Sequence, residues 1–368
     1  MSIRFSVVIC LVCAACGDDG VAFDAAPFDA SIIDAAIDAP PPDPRAVVAE
    51  VPATPNRNLD LLFVIDDSPS MTDKQTNLAN NFPNFISVLQ SVPGGLPNLH
   101  LGVVTTDMGV KGSEDATFGD PIGQVGNGGC AMLGDNGALQ TNGAPVSGSY
   151  LVDIAQTNGT RLTNYTGSLA TVFGTMARVG AGGCGFEQPL AAMRKALDNN
   201  PANAGFLRPD AVLGVVFLAD EDDCSMRTHA MMGPESAALG PLQSFRCSRF
   251  GVTCAIGGTT PDAMNQIGTK SDCASNPTSA YINDVTPYRT FLNALKGDTR
   301  KVVVAGIMGA PTPYQVELRT PPGGGTGTIA LAHSCAYNGA SGLEVADPPA
   351  RLQAFLTPEF GCVDPALA

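Results

Sequence analysis

Hydropathy along the chain repeats one plan: a short run apolar on both faces, then a segment with apolar residues every three or four positions. The runs are LDLLFVIDDSPSM (59–71), LHLGVVTTD (99–107), AVLGVVFLADEDD (211–223), KVVVAGIMG (301–309) and the weaker TIALAH (328–333). Runs without a polar face are what parallel strands covered by helices require. After the first run, Leu78, Phe82, Phe85, Ile86 and Leu89 follow at helical spacing. Thr72 and Gln75 are placed as a capping box for that helix, and Pro83 predicts a kink or a split. FEQPLAAMRKAL (186–197) sets Leu190, Met193 and Leu197 on one face, and PYRTFLNALK (287–296) does the same with Tyr288, Phe291, Leu292 and Leu295. A last helix is predicted over about 348–356.

Strand and helix alternating in this way predict an α/β fold, doubly wound, with a mostly parallel sheet flanked by helices. Two stretches break the plan, at about 108–165 and 224–284. Both are rich in Gly, Asn, Ser and Pro, and both contain cysteines, so they read as insertions stapled by disulfides. The domain is expected to run from residue 51 to 368 as one decorated unit.

Upstream the pattern changes twice. MSIRFSVVICLVCAACGDDG has one basic residue, Arg4, and an apolar stretch too short to remain as a membrane-spanning helix, which suits an export signal. VCAAC ahead of GDD resembles a bacterial lipobox, which implies cleavage before Cys16 and lipidation of that residue. Cys13 stands where the pattern more often has Leu, and cleavage without lipidation is the alternative. Several acyl chains on Cys16 would give the stable anchoring that one chain does not. Residues 17–50 repeat Asp-Ala with prolines and carry eight acids and one base, so they read as a disordered, solvated tether.

Charge narrows the partners. The chain has a net charge of −15, and residues 51–368 retain 27 acids against 18 bases, a net of −9. No basic stripe exists, which argues against nucleic acid. Beyond Cys16 there are eight cysteines, no Cys-x-x-Cys, and three histidines in the whole chain. An even count in an exported protein predicts disulfides rather than a zinc site, although eight cysteines allow 105 pairings. The most local set is Cys247–Cys254, which leaves Cys224 for Cys273, with Cys130–Cys184 and Cys335–Cys362 completing it.

The candidate chemistry lies where three apolar runs end in acids: Asp66, Asp107 and Asp220. Open parallel sheets bind ligands beyond the carboxyl ends of their strands. Acidic and hydroxyl oxygens without sulfur or imidazole suit a hard divalent cation such as Mg²⁺. Asp66, Ser68 and Ser70 alternate along one loop, so all three can face one point. Asp67 is expected outside the direct ligand set. Asp107 reads either as a cap or as part of the site, and Glu221, Asp222 and Asp223 as a solvated acidic loop.

Asp-x-Ser-x-Ser after an apolar strand and before a long amphipathic helix resembles the von Willebrand factor type A domain, over about residues 57–360. That resemblance implies a metal-ion-dependent adhesion site in which Asp66 acts mainly through water, Ser68 and Ser70 coordinate directly, and Asp220 is the acid of the third loop. In the second loop the family's Thr is replaced: GAGGCGFEQPL (180–190) has Cys184 nearest that position. Glu187 is the candidate substitute oxygen, which would add charge and favour Ca²⁺ or Mn²⁺ over Mg²⁺.

Catalysis has little support in the sequence. DSPS (67–70) is faintly similar to an aspartic protease motif but lacks a second copy, and Pro69 replaces its glycine. No Gly-x-Ser-x-Gly elbow or P-loop pattern occurs, and His100, His229 and His333 lie in no recognisable catalytic context. The expectation is therefore a non-enzymatic, lipid-anchored adhesion protein of the cell envelope that engages a protein or surface ligand through a carboxylate. The alternatives are a structural envelope protein with a degenerate metal site and, last, a hydrolase. Cys16 is followed by Gly17 and Asp18, without the adjacent Asp that resembles an inner-membrane retention signal, so the outer membrane or cell surface is favoured.

Overall fold

The structure, a computed structural model, describes residues 56–320 and 324–357. The predicted signal peptide, Cys16, the tether and Cys362 lie outside the described residues. The chain begins with β1 (Asn58–Ile65), α1 (Thr72–Ser91) and β2 (Asn98–Thr105), then β3 (Leu151–Ala155) and β4 (Arg161–Thr163). α2 (Leu169–Met176), α3 (Pro189–Leu197) and β5 (Val212–Leu218) follow. Next come α4 (Phe245–Gly251), β6 (Val252–Ile256), α5 (Pro261–Met264), β7 (Gly268–Ser275), α6 (Thr286–Leu295) and β8 (Val302–Ile307). The last elements are β9 (Tyr314–Arg319), β10 (Thr328–Leu331), β11 (Cys335–Asn338), β12 (Leu343–Ala346) and α7 (Ala350–Leu356).

The central sheet has the order β4-β3-β2-β1-β5-β8. β1 runs parallel to β2 and β5, and β5 parallel to β8, while β3 and β4 add an antiparallel edge. Alternate residues of β1 feed two cores. Leu61, Phe63 and Ile65 pack with Phe82 and Phe85 of α1 and Phe173 of α2. Leu62 and Val64 pack with Leu190 of α3, Leu292 of α6 and Phe355 of α7. Helices thus cover both faces, which is why these runs needed no polar side.

Several expectations are corrected. TIALAH is not a strand of the central sheet: it forms β10, antiparallel to β9, in a second sheet of order β10-β9-β7-β6. Of its four residues only Leu331 is buried, too little for a central position. The helix after the first run is continuous through Pro83, which lies on its exposed face. No capping box forms, because Met71 is the N-cap and Gln75 turns toward the loops. The first insertion also ends earlier than expected, since residues 151–163 supply β3 and β4.

Two of the expected cysteine pairings are wrong. Cys130–Cys184 forms as expected, but the second insertion closes Cys224–Cys247 and Cys254–Cys273 in place of Cys224–Cys273 and Cys247–Cys254. α4 brings Cys247 into one buried cluster with Cys224. Cys254 and Cys273 are direct register partners on β6 and β7, so their side chains meet across the ladder. Cys335 is disulfide-bonded as well. Disulfides of this number agree with an oxidising, extracytoplasmic compartment. Among the described residues no helix is long and apolar enough to cross a membrane.

Candidate metal centre

β1 and β5 are parallel neighbours with Ile65 opposite Leu218, so the residues that follow leave the sheet at one rim. Asp66 N donates to Leu218 O at 2.9 Å, and Ala219 N donates to Ile307 O at 3.1 Å. This delivers Asp66 and Asp220 side by side. Asp66 is fully buried; its Oδ1 accepts from Ser68 N at 2.8 Å, and its Oδ2 has no partner. Asp220 is 4% exposed; its Oδ2 lies 3.0 Å from Lys74 Nζ, and its Oδ1 has no partner. Ser68 Oγ and Ser70 Oγ stand 3.1 Å apart.

Two further acids close on this pair. Glu187 is buried directly before α3, and half-buried Glu221 follows Asp220 in the chain. Their side chains hydrogen-bond to each other. Burial, with Asp220 next, pushes Asp66 up to about 7 against the Ser68 hydrogen bonds. Burial, then Glu221 and Asp66, raises Glu187 well above the usual range. Glu221 rises to about 8 through burial, then Asp347 and Asp220. Buried carboxylates crowded together hold protons unless a cation neutralises them.

The surrounding loops are fixed by specific contacts. Gln75 Nε2 donates to Asp66 O at 2.8 Å and to Gly180 O at 2.6 Å, while its Oε1 accepts from Gly180 N at 3.3 Å. One α1 side chain therefore ties the first loop to the second. Gly183 N donates to Asp67 O at 2.8 Å, and a Cβ on Gly183 would stand 2.2 Å from Asp67 Oδ2. A larger residue there would force the Asp67 carboxyl to move.

The predicted residues separate into two groups. Asp66, Ser68, Ser70, Asp220 and Glu187 come together. Asp107 does not join them: its Oδ1 accepts from Gly109 N at 2.8 Å, which is a capping role. Asp67, expected outside the ligand set, is buried, and burial, then Asp107, Asp66 and Asp135, pushes it up to about 8. Asp222 and Asp223 are not solvated. Asp222 caps α7 by accepting from Arg351 N at 2.8 Å and Leu352 N at 3.0 Å. Asp223 accepts from Leu190 N at 3.1 Å and pairs with Arg351.

Sequence reasoning missed Lys74 and Glu344. Lys74 Nζ reaches Asp220 Oδ2, Glu344 Oε2 at 2.6 Å and Ser70 O at 3.0 Å. Burial opposes its charge, but Asp220 and Glu344 hold the ammonium above its ordinary range. No local pattern marks either residue: Lys74 lies in the first turn of α1 and Glu344 in β12, and only the tertiary fold brings both to Asp220.

The donor set fits a hard divalent cation. Asp66 Oδ2 and Asp220 Oδ1 are buried without a donor from any other residue, and the two carboxyls stand close enough to share a proton, so a cation between them would take that proton's place. Two serine hydroxyls complete an all-oxygen set. Among the described residues no three His, Cys, Asp or Glu side chains stand as a metal-ligand group. A site here would therefore rest on two carboxylates plus hydroxyls. No family model and no curated protein matches this chain.

Proposed function

We propose that this protein is an exported binding protein of von Willebrand factor type A architecture, with a divalent-cation site at the carboxyl rim of its doubly wound sheet. Asp66, Ser68, Ser70 and Asp220 would hold the cation, Mg²⁺ or else Mn²⁺ or Ca²⁺, with Glu187 in the buried acid cluster beside this set of two carboxylates and two hydroxyls. The cation would supply a concentrated positive charge, the strongest in its surroundings, to which an acidic group of a partner protein or surface can bind. The observation that carries this reading is the pair of buried, partnerless oxygens on Asp66 and Asp220, set beside two hydroxyls.

Binding is proposed over catalysis because the sequence holds no Gly-x-Ser-x-Gly elbow, no P-loop pattern and no second Asp-Ser/Thr-Gly motif beside these acids. The proposed location is the cell envelope, with a lipid anchor on Cys16 in the outer membrane. Loss of acyl labelling in a Cys16→Ser protein tests the anchor.

A second reading, a structural envelope protein with a degenerate site, has one observation in its favour: Lys74 already neutralises Asp220. Thermal unfolding of the purified chain separates the two. After chelation, Mg²⁺, Mn²⁺ or Ca²⁺ at 100 times its dissociation constant should add about 2.7 kcal/mol, and Asp66→Ala should abolish the gain. No shift with any of the three would leave the structural reading in place.

A further inference from the structure

The β11–β12 hairpin is attached to the rim of this site in an unusual way. None of its eight strand residues is fully buried. Beneath it lies a cavity of about 250 Å³, walled by Phe63, Phe82 and Leu218 on the core side and by Tyr337 and Val345 on the hairpin side. Close packing of apolar side chains, the usual cement of a protein element, is therefore thin here. The hairpin's base is pinned by the Cys335 disulfide and by Asp347 N, which donates to Asp220 O at 2.7 Å, and polar contacts to the start of α1 hold the rest. Ser341 N and Oγ donate to the two oxygens of Asp73, each at 2.8 Å. Asn77 Nδ2 donates to Tyr337 OH at 3.2 Å. The one ion pair is Glu344 with Lys74, at 2.6 Å.

Lys74 is shared. The ammonium that holds Glu344 also lies 3.0 Å from Asp220 Oδ2, on the carboxylate whose other oxygen is without a partner. An ammonium and a divalent cation on one carboxylate repel strongly where water does not screen them. We propose that Lys74 is a built-in counter-cation for Asp220, that it competes with a divalent cation for this carboxylate, and that its departure unlatches the β11–β12 hairpin through Glu344. The inference rests on the cation site proposed above and adds its regulation. Lys74 sets the affinity of the site, and hairpin position reports its state. A freed hairpin uncovers the apolar cavity beside the cation, where a partner's apolar side chain has a place next to its acidic group.

The test measures Mn²⁺ and Ca²⁺ binding calorimetrically in the full chain, its Lys74→Met, Glu344→Gln and Asp66→Ala variants, together with amide hydrogen exchange over residues 335–346. Lys74→Met should bind at least tenfold tighter than the unmodified chain, and its hairpin should exchange fast without any metal. In the unmodified chain, adding Mn²⁺ should speed exchange across the hairpin. Glu344→Gln should loosen the hairpin with no gain in cation affinity, because Lys74 remains on Asp220. Equal affinity in the unmodified chain and Lys74→Met, with Asp66→Ala inert, would overturn the competition and leave the cation site standing. Binding by neither would overturn the cation site itself. Tighter binding by Lys74→Met with no change in hairpin exchange on adding Mn²⁺ to the unmodified chain would overturn the latch. Should Lys74→Met not fold, that exchange response decides alone.

Discussion

Arg351 Nη2 lies 2.8 Å from Asp223 Oδ2, and both side chains are fully buried. The guanidinium also donates to Gly251 O, Asn283 O and Ser275 Oγ, so α7, the second insertion and the loop after β5 meet on one residue. Asp223 in turn holds Leu190 N at the start of α3. The loop that carries Asp220 is therefore anchored three residues downstream of it by a desolvated charge.

Removing one partner of a buried ion pair strands the other. Arg351→Met should lower stability by about 3–5 kcal/mol, measured by urea unfolding. A second change, Asp223→Asn, should recover part of that loss. A loss below about 1 kcal/mol for the single variant would mean that the pair does not anchor the loop.

The pH dependence follows from the raised carboxyls. Asp66 moves from 3.8 to about 7 on folding, so between those values the folded chain binds more protons than the unfolded one. Stability without metal should then fall as pH rises from about 4 to 7, and the rise of Asp67 and Glu221 to about 8 extends the slope. His100, pushed down by burial, acts in the opposite direction, as do carboxyls held low by hydrogen bonds such as Asp73 and Asp115, these last only at the acid end of the range. In chelator, the protein should unfold at lower urea at pH 8 than at pH 5, and Asp66→Asn should flatten the difference. Greater stability at pH 8 would contradict the buried acid cluster.

Gly183→Ala puts a methyl against Asp67 Oδ2, at a predicted 2.2 Å. Overpacking of this kind costs about 1–3 kcal/mol, and here the displaced atom belongs to the residue next to Asp66. Melting temperature should fall and cation affinity with it. Gly174→Ala, also without positive φ and with no atom closer than 3.6 Å to the added methyl, controls for the methyl alone.

Replacing Cys130 and Cys184 by Ser opens a connection of 54 residues, for which loop entropy gives about 4 kcal/mol. The second loop would lose its tie beside Glu187, so cation binding should weaken along with stability. Unchanged melting in the double variant would show that the bridge constrains neither state.

Much of the central fold was legible because β1, β2 and β5 are buried on both faces and leave continuous apolar runs, and because β8, although an edge strand with Val303 exposed, is apolar throughout. β3 and β4 escaped notice: at a half-exposed edge, Leu151–Ala155 and Arg161–Thr163 alternate weakly. The site was legible where it depended on the ends of those runs, as at Asp66 and Asp220. It was not legible where long-range packing decides burial. Asp222 and Asp223 look like a solvated acidic loop until α7 arrives, and Lys74 looks like a surface residue until Asp220 and Glu344 are placed beside it. Local spacing misled the cysteine pairing for the same reason, since Cys247–Cys254 is closer in sequence than either true bridge of that insertion.

The bridges Cys130–Cys184, Cys224–Cys247 and Cys254–Cys273 share an ordering: each joins a cysteine to the next one along the chain. A polypeptide that enters an oxidising compartment amino end first exposes its thiols in that same order. An oxidant that links each newly arrived thiol to the one before it would make all three correctly on the first pass. Export and crosslinking can then proceed together, with no mispaired bond to undo.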